Sequence, residues 1–317
     1  MNKLTSSILV ALALVAASCG GNGVETRPFP KAQVPSIITS DEDARSYMAR
    51  HYWDRFFATA DDWKSDTAVF CGVTALDFET AYGKYVVLLN SLPLEIAITA
   101  QDTLINRAEA LRAVDPSSVL YRKVCDLSEH YLFDPNSPVR CEDLYVPILK
   151  KMVSSPFTPE GDKVRAEHYI PLCSLNRIGT KAADFTYTLK NGRTGNLYDV
   201  KADHTLMFFS NPGCENCKQI IETLSGYNTI SEAIAKGRLA VLNVYPDEDL
   251  DEWYKYMSHY PDIWINGYDA EGVLNSNTIY NLRAIPSLYL LDEDKNVILK
   301  DAPLDVVLKH LWDVLPD

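Results

Sequence analysis

Thr205-Leu206-Met207-Phe208-Phe209-Ser210-Asn211-Pro212-Gly213-Cys214-Glu215-Asn216-Cys217-Lys218-Gln219-Ile220-Ile221 is the stretch on which the reading of this 317-residue chain turns. Its apolar run, bounded by turn residues, predicts a buried strand. Asn211-Pro212-Gly213 breaks that strand, and helix-forming residues follow Cys214 directly. Two cysteines therefore stand at a strand-to-helix junction. At a helix N-terminus the first backbone N–H groups are unpaired and the macrodipole favours negative charge. A thiolate at Cys214 is stabilised there and becomes a better nucleophile near neutral pH. One helical turn brings Cys217 round to the same end, within reach of a mixed disulfide formed at Cys214. A lone C-x-x-C also fits a structural disulfide or half of a metal site. Zinc needs about four ligands, and no second C-x-x-C or paired histidine supplies them; the six histidines are scattered. Haem attachment needs a histidine after the second cysteine, where Lys218 stands. No metal and no cofactor is expected.

A second feature lies downstream. Tyr280-Asn281-Leu282-Arg283-Ala284-Ile285-Pro286-Ser287-Leu288-Tyr289-Leu290-Leu291-Asp292 places a proline just before an apolar strand. Taken with Cys214 and Cys217 in this order, it resembles the thioredoxin-like superfamily, and in style its membrane-anchored, periplasm-facing thiol–disulfide proteins. The resemblance covers about residues 181–317. It implies that Ile285–Pro286 is a cis peptide lying against Cys214, which an Xaa-Pro bond tolerates at about 0.5–1 kcal/mol. It also implies that Ile285 and Pro286 form the substrate edge, with backbone groups of Ile285 offered to an extended substrate. An ordinary proline opening a strand is the plainer alternative.

Residues 1–18 carry Lys3, an apolar core from Ile8 to Val15, and Ala16-Ala17-Ser18 before Cys19. The core is too short to span a bilayer but suits a signal peptide. Small residues before a cysteine resemble a lipobox, with Ala16 where leucine is usual. The implied outcome is cleavage before Cys19 and its lipidation, several acyl chains giving stable anchoring; a soluble secreted protein with a free Cys19 is the alternative. The net charge of −13 becomes −14 once Lys3 is removed, which argues against nucleic acid or anionic membrane surfaces as ligands. Gly20-Gly21-Asn22-Gly23, followed by Pro28, Pro30 and Pro35, reads as a tether over 19–36. No acidic cluster follows Cys19, so a periplasm-facing position is expected, on the outer rather than the inner membrane.

From 37 to 180 the periodicity predicts an all-α domain. Ser40 caps a first helix. Phe78, Tyr82, Tyr85, Val86 and Leu89 form the clearest stripe, and Ala97, Leu104, Ala108 and Leu111 the next. Asp115-Pro116 reads as a cap and first position of another helix, through Leu120, Val124, Leu127 and Tyr131. Leu144, Ile148 and Met152 follow, with Pro147 near the start or at a kink, and Thr158-Pro159 opens a last helix. Ala49-Arg50-His51-Tyr52-Trp53-Asp54-Arg55-Phe56 and Tyr131-Leu132-Phe133-Asp134-Pro135-Asn136-Ser137-Pro138 resemble an uncharacterised helical domain of bacterial lipoproteins, and no activity comes with it. Its aromatic residues read as core, and His51 and His168 as packing or capping residues. Cys71, Cys125, Cys141 and Cys173 stay open between buried thiols and disulfides, Cys125 with Cys141 closing the shortest loop.

Around Lys181 the period changes from 3.6 to 2. Asp184–Leu189 predicts a strand, Lys190-Asn191-Gly192-Arg193 a turn, and Leu197–Val200 the returning strand. Further strands are expected at 238–245, 288–291 and 297–299, and helices at Asp249–Tyr260 and Leu304–Leu315. This order is the thioredoxin arrangement, 181–317. The fold class is thus α/β, thioredoxin-like, behind an all-α domain. Two departures bear on mechanism. Relatives often hold a buried acid six residues before the first cysteine, and Phe208 stands there; Glu215 opposes thiolate formation while Lys218 favours it. The reading is a thiol–disulfide oxidoreductase in the reducing direction, Cys214 attacking and Cys217 resolving, with protein thiols and disulfides as partners and an unidentified redox donor. A binding module with a Cys214–Cys217 staple is one rival. A peroxidase-like enzyme is the other, disfavoured because Asn211, not threonine, lies three residues before Cys214.

Overall fold

A computed structural model describes residues 25–60, 63, 66–274, 276 and 279–315. The expected signal segment 1–18 and lipidation site Cys19 lie outside them. Helices fill the first part: α1 (Asp41–His51), α2 (Asp54–Ala58), α3 (Ala75–Leu89), α4 (Leu94–Val114), α5 (Leu120–Ser128), α6 (Glu142–Ser154) and α7 (Glu160–Cys173). Ser40 caps α1, its Oγ accepting from the Asp43 N–H at 3.3 Å. The stripe on α3 faces inward, with Phe78, Tyr82, Tyr85, Val86 and Leu89 all buried. Their rings meet Trp53 and Phe56 at centroid distances of 5.2–6.4 Å, so the aromatic residues are core. His51 pairs with Asp54 at 2.7 Å and His168 packs on Tyr169.

Local chemistry changes two of the expectations here. A two-residue ladder, β1 (Val69–Phe70) with β2 (Val73–Thr74), precedes α3, turning at Cys71 and Gly72 with φ of 48° and 77°. Asp115-Pro116 does not open α5. Its carboxylate instead accepts from the Ser117 N–H at 2.9 Å in an Asx-type turn, which delays α5 to Leu120. Pro147 lies well inside α6. A π-helical turn, Glu129–Phe133, continues from the end of α5 and stops at Asp134.

The second part is a seven-stranded sheet in the order β4-β3-β7-β6-β5-β8-β9. In chain order these are β3 (Thr186–Leu189), β4 (Thr194–Asn196), β5 (His204–Phe209), α8 (Glu215–Gly226), α9 (Asn228–Ala235), β6 (Leu239–Tyr245), α10 (Leu250–Tyr256), β7 (Ile265–Tyr268), β8 (Ser287–Leu291), β9 (Val297–Leu299) and α11 (Leu304–Val314). Strand β5 runs parallel to β6 and antiparallel to β8. Both of its faces are covered. Leu206 and Phe208 join the cluster under α8 and α11, while Met207 and Phe209 join Phe185, Tyr280 and Tyr289 on the other side. A strand buried on two faces has no need to alternate, hence the unbroken apolar run. Leu197–Val200 is not the returning strand. Thr194–Asn196 returns, and Leu197–Asp199 curls into a 3₁₀ turn that buries Leu197. The helix from Asp249 ends at Tyr256 and tightens to 3₁₀ at Met257–His259. Strand β7 carries no alternation and no sequence signal; β6 and β3 pair with it on either side.

The two parts meet through charge. Lys300, after β9, is almost fully buried; its Nζ lies 2.7 Å from Glu142 on α6 and donates to the carbonyls of Cys173 and Leu175 at 2.8 and 2.6 Å. Asn176 reaches across to the Ile279 carbonyl at 2.7 Å.

Candidate functional site

Strand β5 stops at Phe209, and Asn211-Pro212-Gly213 turns the chain into α8. Gly213 has φ of 74°, a left-handed value that glycine adopts freely. Cys214 is the N-cap of α8 and is half-exposed, and Cys217, one turn on, is 1% exposed. The two are joined in a disulfide with Cα atoms 5.2 Å apart. The Cys217 N–H points at Cys214 Sγ, 3.1 Å away. An unpaired helix N–H aimed at the outer sulfur is the local dipole that stabilises a thiolate. Lys218 leans toward Glu222 at 4.0 Å, both side chains mostly exposed, so neither charge is committed to the sulfurs. Phe208 occupies the place where relatives hold an acid; it is fully buried, edge-on to Trp264 at 6.3 Å.

The Ile285–Pro286 bond is cis. It immediately precedes Ser287, which pairs with Phe209 across β5 and β8. Ile285 and Cys214 pack against the same hydrophobic cluster, so the loop and the strand-to-helix turn stand at the same end of adjacent strands. Ile285 and Pro286 are half-exposed and Ala284 is exposed. On the other flank a cleft of about 450 Å³ is bordered by Asn211, Gly213, Tyr245, Lys255 and His259. Asn211 donates to Asp247 at 2.5 Å there.

Sequence reasoning did not find the charged residues around the cis-proline loop. Arg283 meets Glu142 at 3.0 Å, and Asp301 meets Arg140 at 3.1 Å while accepting from the Ser287 hydroxyl at 2.8 Å. These partners lie up to 161 residues apart, so no local pattern could announce them.

Cys125, Cys141 and Cys173 are free thiols, so the Cys125–Cys141 bridge does not form. Burial pushes the thiols of Cys125, Cys141 and Cys173 up to about 12. After mild reduction at pH 8, alkylation of the folded protein should therefore modify Cys214 first and leave the buried Cys125 and Cys173 unlabelled, as peptide mapping would read. Labelling of Cys125 or Cys173 as fast as Cys214 would contradict the burial argument. Among the described residues no group of three or more His, Cys, Asp or Glu is placed to hold a metal ion.

Residues 2–176, more than half of the chain, match a family model described as a domain of unknown function, DUF5106. A crystal structure of a thioredoxin-like protein from Bacteroides caccae is 38% identical; the alignment covers 90% of this chain and 99% of that one, with a TM-score of 0.76. The C-terminal domain of an uncharacterized protein from Bacteroides fragilis is 50% identical over 43% of this chain and 97% of its own, with a TM-score of 0.42. Among curated proteins, nucleoredoxin from Bos taurus is 25% identical over 118 residues, which are 37% of this chain. That match spans 27% of the nucleoredoxin's length.

Proposed function

The chain belongs to the family described by the DUF5106 domain, and its second part has the thioredoxin-like fold; from this we propose that it is a thiol–disulfide oxidoreductase acting on protein disulfides. The nucleoredoxin relative supports a redox role. One observation carries the reading: an accessible sulfur at a helix N-cap, bonded to a buried sulfur one turn away, at the strand end that also bears the cis-proline loop.

In the dithiol form, the Cys214 thiolate attacks one sulfur of a substrate disulfide. That bond breaks, one substrate thiolate leaves and takes a proton, and a mixed disulfide forms. Cys217 then loses its proton, attacks Cys214 Sγ and releases the second substrate thiol. Two electrons and two protons have passed to the substrate, and the protein holds the Cys214–Cys217 disulfide. An external dithiol donor returns it to the reduced form. Ile285 and Pro286 form the edge along which the substrate lies. Phe208 offers no proton acceptor where relatives hold an acid, so the Cys217 proton passes to solvent or to Glu222. The direction is reducing, and the protein faces the periplasm on a lipid anchor at Cys19, as the segment before that cysteine supports.

Purified protein should accelerate insulin-disulfide reduction by dithiothreitol and leave peroxide untouched. No acceleration over dithiothreitol alone would return the fold to a binding module with a structural staple. An equilibrium with glutathione near about −120 mV, the range of strong oxidants, would reverse the direction. Membrane fractionation of Cys19→Ser tests the anchor: a variant that stays in the membrane fraction refutes it.

A further inference from the structure

No backbone hydrogen bond among the described residues ties down Ala284 or Ile285. Their N–H and C=O groups are left for a ligand, and the loop must be held by its neighbours. Both neighbours are held by the helical part. Upstream, the Arg283 guanidinium lies 4.1 Å over the Phe133 ring, donates to the Phe133 carbonyl and meets Glu142 at 3.0 Å. Asn281 donates to the same Glu142 carboxylate at 3.2 Å. Downstream, the Ser287 hydroxyl donates to Asp301, whose other oxygen is 3.1 Å from Arg140. Asp301 and Arg283 also approach each other at 3.8 Å, closing the ring of charges. The side chains of Arg283, Glu142, Asp301 and Arg140 are 13%, 5%, 16% and 13% exposed, so water screens these contacts little. Two clamps rooted in residues 133–142 thus bracket Ala284-Ile285-Pro286.

We propose that the helical part is a component of the redox site: Glu142 and Arg140, through Arg283 and Asp301, position the cis-proline loop for docking a protein substrate. This rests on the thiol–disulfide reading above. Glu142 and Arg140 touch no reacting atom; they are positioning residues. Preset backbone geometry matters for a protein disulfide that must lie along the loop. It matters little for a small disulfide that needs only Cys214, because a positional error at the docking edge is felt by substrates that use that edge.

The test compares insulin with dithiobis(nitrobenzoic acid) as substrates of the full chain. Glu142→Gln removes the charge and keeps the shape. It should raise KM for insulin about tenfold while kcat/KM for the small disulfide stays within about twofold. Ser287→Ala, a milder change that loosens only the downstream clamp, should raise the insulin KM about threefold with the same insensitivity to the small disulfide. If Glu142→Gln does not fold, Ser287→Ala decides alone. Folded variants with an unchanged insulin KM, or with both substrates slowed in parallel, overturn the proposal. A wild-type protein that reduces neither substrate overturns the redox reading itself, and this inference with it.

Discussion

Cys214→Ser should abolish insulin-disulfide reduction, lowering the rate by about three orders of magnitude or more, to that of dithiothreitol alone. Serine keeps the N-cap: its hydroxyl can accept from the Cys217 N–H as the sulfur does, so the helix start is preserved. What disappears is an ionisable, polarisable nucleophile. Cys217→Ser should behave differently. The outer sulfur still attacks, but nothing resolves the intermediate, so mixed disulfides with partner proteins accumulate and appear on non-reducing gels. The asymmetry follows from access, since Cys214 is partly exposed and Cys217 only 1% exposed. Comparable trapping by the two single variants would mean that either sulfur can be reached first, and the assignment of roles would be withdrawn.

The largest stability effect is expected at Lys300. Lys300→Met keeps the stem and deletes the ammonium. Glu142 then loses its 2.7 Å partner, and the carbonyls of Cys173 and Leu175 lose their buried donor. Removing one member of a buried ion pair costs about 3–5 kcal/mol when the remaining charge is left alone; Glu142 keeps Arg283 at 3.0 Å, so the loss should lie toward the lower end of that range. A urea titration should show a lower midpoint with an unchanged slope. A loss below about 1 kcal/mol would show that water or rearrangement compensates the site. Asp301 carries the opposite sign. Burial raises its carboxyl above the ordinary value in spite of Arg140, Ser287 and Arg283. A group whose value is raised on folding helps stability below its unfolded value of 3.8 and loses that contribution as pH rises through the folded one. Burial thus offsets part of what the Asp301 carboxylate gains from Arg140 and Arg283, and Asp301→Asn should cost less near neutral pH than Lys300→Met.

The sequence was most legible where a local pattern maps directly onto local structure. The Cys214–Cys217 junction and the proline before β8 each occupy a few neighbouring residues, and the apolar run of β5 announces a strand buried on both faces. The stripe on α3 was readable for the same reason, its period matching the helix. Expectations failed where a side chain competes with the backbone. The Asp115 carboxylate captured the Ser117 N–H and displaced the start of α5, and Leu197 was drawn into the core by a turn rather than a strand. Strand β7, Ile265–Tyr268, lacked alternation because its place is set by its neighbours, with Gly267 admitting the Tyr187 ring where a Cβ would come within 3.0 Å of it. The clamps on the cis-proline loop were invisible for another reason. Arg140 and Asp301, or Glu142 and Arg283, become neighbours only once both parts have folded, and arginine and glutamate in a chain with 73 charged residues carry no signal singly.

The charges shared between the two parts also govern how the molecule can be recombined. In a chimera that joins this sheet to a helical part from another protein, Lys300 would lose Glu142, and Arg283 and Asp301 would keep only each other, 3.8 Å apart, against a foreign surface. Arg140 and Glu142 would have to travel with the graft. The two parts are therefore exchangeable only as a matched pair.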